Sequence, residues 1–151
     1  MDYSEKLAEK VKTYLENIEK KFEFDSERGF FIMDESFESL LDKGIVLIQV
    51  LDDCILFRCD TIFSVSRKKF SAVAEYINRT NDALINGCLV LDYDEARVSF
   101  KTYVGCFDDD VSEEQLTDMF ASCTLAVEEF GKGVVEVSKG QVPDVKEYFN
   151  R

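Results

Sequence analysis

Apolar positions return along this chain with two different periods, and the changes of period divide it into elements. From Ser4, a residue suited to cap a helix, Leu7, Val11, Tyr14, Leu15, Ile18 and Phe22 follow at three- and four-residue spacing. About the first 20 residues therefore predict an amphipathic helix with a Lys/Glu outer face. The pattern then turns to β-branched and aromatic runs, and residues 30–37, 45–51 and 54–65 predict three strands. Asp52-Asp53 separates the last two. With that pair as the loop, Val50/Ile55, Ile48/Phe57 and Val46/Cys59 share one wholly apolar face. The other face carries Leu51/Cys54, Gln49/Leu56, Leu47/Arg58 and Ile45/Asp60, a mixture of apolar and polar side chains.

Beyond Arg67-Lys68-Lys69, the residues Phe70, Val73, Ala74, Ile77, Asn81 and Leu84 fall at helical spacing and predict a second helix. The stretch INGCLVLDYDEARVSFK, residues 85–101, alternates again around an acidic turn. A loop of Asp94-Glu95, or the longer alternative from Tyr93 to Ala96, puts Leu91/Val98 and Leu89/Phe100 on one face. Asp92/Arg97, Val90/Ser99 and Cys88/Lys101 then line the other. Two hairpins, each with one dry and one mixed face, predict an antiparallel sheet packed on helices from one side. Val46, Ile48, Val50, Ile55, Phe57, Leu89, Leu91, Val98 and Phe100 are expected beneath those helices.

Ser112 with Gln115 makes a capping box that opens a third helix, with Leu116, Met119, Phe120, Cys123, Val127 and Phe130 inward. Gly131 and Gly133 are expected to stop it, and a short last helix is expected over residues 143–149, starting at Pro143. The order helix, three strands, helix, two strands, helix predicts an α+β fold with a five-stranded antiparallel sheet and helices on one face. One proline and seven glycines are scattered without a linker, repeat or low-complexity stretch, so residues 1–151 are expected to form one domain.

Composition narrows the function. The formal charge is −13, from 31 acidic against 18 basic residues, and it repels phosphate backbones and anionic lipid heads, so neither nucleic acid nor membrane is expected as a partner. The N-terminus is charged from its second residue, and the longest aliphatic run, residues 45–48, is far short of the roughly 20 residues that span a bilayer. A cytoplasmic protein is expected. The five cysteines, Cys54, Cys59, Cys88, Cys106 and Cys123, show no CxxC spacing, and no histidine is present to complete a zinc site. Neither a metal, nor a cofactor, nor a disulfide framework is expected.

The same missing imidazole removes the histidine-dependent hydrolases. Ser66-Arg67-Lys68-Lys69 matches S-x-x-K formally, yet Lys101-Thr102 continues with Tyr103 and not with the glycine that the companion K-T-G element needs. The acidic runs after Asp92 and Asp108 do not complete a calcium loop, because Arg97 stands where its glycine would fall in the first and Met119 where its glutamate would fall in the second. Gly131-Lys132-Gly133 follows a helix and lacks a third glycine, so it carries no dinucleotide signal. The Arg67-Lys69 cluster is too short for a nucleic-acid patch on so acidic a chain, and the Asn78-Arg79-Thr80 sequon falls within a predicted helix.

The segment YINRTNDALINGCLVLDYDEARVSFKTYV resembles the bacterial YbjN-type family, called sensory transduction regulators. The likeness is carried by Asn78 and Asn81 late in the second helix, Gly87 opening the next strand, Asp92 before the turn, and the strand from Arg97 to Tyr103. It runs from about Leu7 to Gly140, and departs from the family's turn in having no glycine between Asp92 and Val98. The resemblance implies a fold like that of type III secretion chaperones, which are small, acidic, often dimeric proteins that bind extended segments of other polypeptides.

The function expected is that of a non-enzymatic interaction module, a regulator or chaperone-like protein that binds a protein or peptide. The alternative is an enzyme using carboxylate or cysteine chemistry without histidine. The expected contact residues are Leu47, Gln49, Leu51, Leu56, Arg58, Val90, Lys101 and Tyr103, which the hairpin pairings turn away from the helices. A homodimer seam, or a covering loop or C-terminal segment, would bury the same patch.

Overall fold

The computed structural model describes residues 2–38 and 43–141. Helix α1 spans Glu5–Asn17, and the Ser4 hydroxyl accepts the Leu7 N–H at 3.2 Å, as a capping serine does. It buries Leu7, Ala8, Val11, Tyr14 and Leu15. The helix stops before Ile18 and Phe22, which the spacing had placed on its apolar stripe. Glu19 takes the left-handed conformation at φ 57°, which ends the helix, and Phe22 reaches the core from the following segment, 5.4 Å from the Phe31 ring.

Among the described residues six strands follow: β1 Glu23–Asp25, β2 Phe30–Ser36, β3 Lys43–Val50, β4 Cys54–Ser64, β5 Cys88–Asp92 and β6 Arg97–Gly105. They form one sheet in the order β1-β2-β3-β4-β6-β5, every neighbouring pair antiparallel. The expected count of five is thus corrected to six. The extra strand, β1, is three residues long, too short for alternation to register. Its turn is built by chemistry the sequence does carry: the Asp25 carboxylate accepts the N–H groups of Glu27 and Arg28, and Gly29 supplies φ 71°.

Both predicted hairpin registers are present. Val50 faces Ile55, Ile48 faces Phe57 and Val46 faces Cys59; Leu89 faces Phe100 and Leu91 faces Val98. All nine residues expected beneath the helices are buried. The second turn takes the longer alternative, Tyr93 to Ala96, with Asp92 opposite Arg97. The Asp92 carboxylate accepts the Asp94 and Glu95 N–H groups at 2.9 Å, and Ala96 occupies the left-handed position at φ 55°, where a glycine is usual.

A short 3-10 turn, Arg67–Lys69, leads into α2, Phe70–Ala83, and α3 runs over Glu113–Ser138. Its capping box forms as read: the Ser112 hydroxyl accepts the Gln115 N–H at 3.0 Å, while the Gln115 side chain accepts the Ser112 N–H at 2.9 Å. Gly131 and Gly133 do not stop α3. Gly133 instead lets α2 approach, because a Cβ there would lie 2.1 Å from the Tyr76 hydroxyl oxygen. That hydroxyl donates to the Phe130 carbonyl at 2.9 Å, so the glycine serves packing between helices. The helix expected over residues 143–149 lies outside the described residues.

Helix α3 lies against β4 and β6, and α2 packs on β5 and α3. Together with α1 they cover one face of the sheet, and the buried apolar residues of strands and helices form one cluster.

Candidate interaction surface

The face turned away from the helices is organised by register. One row across it reads Phe30, Gln49, Leu56, Tyr103; the next reads Ile32, Leu47, Arg58, Lys101, Cys88; a third reads Asp34, Ile45, Asp60, Ser99, Val90. Six of the eight residues expected at a contact thus sit together in two adjoining rows: Leu47, Gln49, Leu56, Arg58, Lys101 and Tyr103. Val90 lies one row on, at the β5 edge. Leu51 lies at the margin, where its N–H donates to the Cys54 carbonyl at 2.9 Å and its carbonyl accepts the Ser4 N–H at 3.3 Å.

Among the described residues, the helices leave this face open. Leu47, Gln49, Leu56 and Val90 are half-buried by their sheet neighbours, while Arg58, Lys101 and Tyr103 are exposed. Exposed Ile32, Ile45 and Ile62 extend the apolar area. Ile32 lies in β2 between buried Phe31 and Met33, so alternation alone turns it outward. What sequence reasoning missed was its row, since the pairing of β2 with β3 depends on a connection whose length sets no register. At the centre, Arg58 and Lys101 are cross-strand partners, a repulsive pairing that Asp60 offsets by holding the Arg58 guanidinium at 2.5 Å.

A groove of about 790 Å³ opens where this face meets the β5 end of the sheet. Leu56, Lys101 and Tyr103 line it, together with two residues the sequence did not single out, Ile85 and Phe107. A second groove, of about 480 Å³, runs between α1 and the start of α3, lined by Lys6, Lys10, Tyr14 and Leu116 among others.

Three thiols and two carboxylates are displaced from their ordinary values. Burial, with the Asp53 charge behind it, pushes the Cys54 thiol up, and burial does the same for Cys106; Cys123 is raised by its hydrogen bond with Cys59 and by burial. A raised thiol is a poor nucleophile, because the thiolate is the reactive form. Asp92 is held below the ordinary carboxylate value by the N–H groups of its turn, and Asp110 by the Lys10 ammonium that it binds. Both shifts favour the anion, the reverse of what a general acid needs. Among the described residues, no three His, Cys, Asp or Glu side chains are grouped to hold a metal ion, and no helix is long and apolar enough to cross a membrane.

No family model and no curated protein matches the chain. Solved structures do. YbjN from E. coli, a candidate transcription regulator, is 12% identical with a TM-score of 0.57, covering 87% of this chain and 89% of its own. An uncharacterised protein from Methanothermobacter thermautotrophicus is 17% identical with a TM-score of 0.54, covering 89% and 97%. The ExsC–ExsE complex provides a chain 14% identical with a TM-score of 0.56, covering 87% and 95%. At these identities the likeness is one of fold, and the chain has the YbjN-like, type III secretion chaperone-like fold that the resemblance in its sequence implies.

Proposed function

We propose that this chain is a non-enzymatic interaction module, regulator or chaperone-like, that binds a segment of another polypeptide on the open face of its sheet. The observation that carries this is the bareness of that face among the described residues: apolar side chains in adjoining rows, rimmed by charge, with the three described helices on the opposite side. The ExsC–ExsE neighbour, a complex one chain of which shares this fold, supports a polypeptide as the ligand. Leu47, Leu56 and Tyr103 supply apolar contact, Arg58 and Lys101 fix charge register, and Gln49, Leu51 and Val90 complete the surface.

The test is the pair Leu47→Asp and Leu56→Asp in one chain, assayed by affinity capture from extract and by circular dichroism. Capture of the partner should be lost while the spectrum and the melt remain those of a folded protein, since half-buried positions on an open face tolerate a charge that a core position does not. Unfolding of the double variant would mean the face belongs to the core. Sedimentation of the parent as a dimer that this variant dissociates would assign the face to a second copy.

A further inference from the structure

Strand β5 ends before β6 does. Their pairing runs from Asp92↔Arg97 to Cys88↔Lys101, whereas β4 accompanies β6 on its other side as far as Cys54↔Gly105. Gly87, at φ 75°, closes in on the Lys101 carbonyl and Thr102, and the residues before it, Ile85 and Asn86, lie outside the strand and line a groove beside β6. Beyond Lys101, the β5 side of β6 is therefore a half-edge of four residues, about 13 Å long at the usual rise of a strand. This half-edge is the floor of the 790 Å³ groove. Its walls are apolar and open to solvent: Ile85 is 98% exposed, Phe107 87% and Tyr103 68%.

The two ends of the groove differ in charge. At the Gly105 end, the Cys106 N–H donates to the Asp53 carbonyl at 2.7 Å, and Phe107 leads directly into Asp108-Asp109-Asp110. The charges of Asp53, Asp109 and Asp110 all act on the Cys106 thiol, which places them around this end. Lys10 pairs with Asp110 and Lys6 reaches the Asp108 carbonyl, while Asp52, Asp53, Asp108 and Asp109 have no ion pair among the described residues. At the other end stands Lys101, with Arg58 opposite it.

Resting on the polypeptide-binding function proposed above, we infer that the groove takes an extended segment of the partner as an added antiparallel strand on Thr102–Gly105, apolar at alternate positions and basic at its N-terminal end. An exposed strand edge offers main-chain donors and acceptors in register, and exposed side chains beside it supply the contact that makes such pairing selective. Antiparallel addition sets the incoming N-terminus beside the aspartates and its C-terminal end beside Lys101. A second copy fits less well, because two chains of charge −13 repel and each brings its own projecting Ile85 and Phe107 to the same slot.

The test pans random peptides displayed on phage against the full chain, then measures the enriched sequences as fluorescein-labelled peptides by anisotropy. Alternating apolar residues behind an N-terminal Lys or Arg are expected, and binding should weaken by about tenfold or more in Ile85→Asp and in Phe107→Asp, as for an anchor at an interface centre. Amide exchange at Tyr103 and Gly105 of the unaltered chain, whose N–H groups turn to the β5 side while those of Thr102 and Val104 turn to β4, should slow on binding, which does not depend on any variant folding. Methylating two peptide backbone amides should cost about tenfold. Failure to enrich any peptide overturns the inference. Binding that Leu47→Asp abolishes and Ile85→Asp and Phe107→Asp leave intact also overturns it, while leaving the open-face function standing. Self-association lost in Phe107→Asp overturns it in favour of a second copy.

Discussion

Leu56 and Phe57 are consecutive residues of one strand, and they belong to different worlds. Phe57 lies beneath the helices at 0% exposure, while Leu56 stands half-buried on a face that none of the described helices covers. The same contrast holds for Ile48 against Leu47 and for Phe100 against Lys101. It shows that a strand's alternation, indifferent to what lies on either side, hands one set of residues to packing and leaves the other set available for a partner.

The contrast can be broken most severely at Phe57. Phe57→Ala should cost about 3–5 kcal/mol in urea denaturation, as for a buried phenylalanine, whereas Leu56→Ala should cost about 1 kcal/mol. Equal losses would erase the distinction between the faces. Next in size is the lid over the buried side. Gly133→Ala gains helix propensity, yet its methyl would strike a Tyr76 hydroxyl that the Phe130 carbonyl already holds; the clash wins, and a loss of about 2 kcal/mol is expected in the same assay. A gain in stability would mean that α2 and α3 are packed less closely than they stand.

Smaller effects belong to the β5–β6 turn, where both faces end. Ala96→Gly removes a left-handed alanine and should stabilise by up to about 1 kcal/mol, visible as a higher midpoint. Asp92→Asn tests the turn by pH. The native Asp92 carboxyl lies below 3.8 because the Glu95 and Asp94 N–H groups bind its anion. A group lowered in the folded state contributes its stability fully above the unfolded value and loses it as pH falls through the native one. The parent's advantage over Asp92→Asn should therefore be present at neutral pH and fade below 3.8. An advantage that persists in acid would show that the carboxylate's charge is not what the turn uses.

Several elements were legible before any coordinates. The Ser4 cap, the Ser112/Gln115 box, both hairpin registers and the buried face all follow from neighbours close in sequence. The misreadings share a cause. Gly131-Lys132-Gly133 has the local look of a helix stop, but Tyr76, more than fifty residues away, makes a glycine at 133 the residue that fits. Ile18 and Phe22 continue an apolar stripe, but the backbone at Glu19 turns out of the helix. Strand β1 is too brief to show a period, though Asp25 and Gly29 signal its turn.

The candidate surface divides in the same way. Period and loop parity alone determined which side chains share a face: Leu47, Leu56, Arg58, Lys101 and Tyr103 had to point together once Ile48, Phe57 and Phe100 pointed inward, since successive side chains of a strand alternate. How far the helices would cover that face, that Ile32 would fall in the row of Leu47, and that β5 would stop short and leave a half-edge beside Ile85 and Phe107 were decided by the tertiary structure. Alternation is a property of the covalent chain and is written locally. Coverage depends on where distant segments come to rest, and their approach leaves no period in the residues they approach.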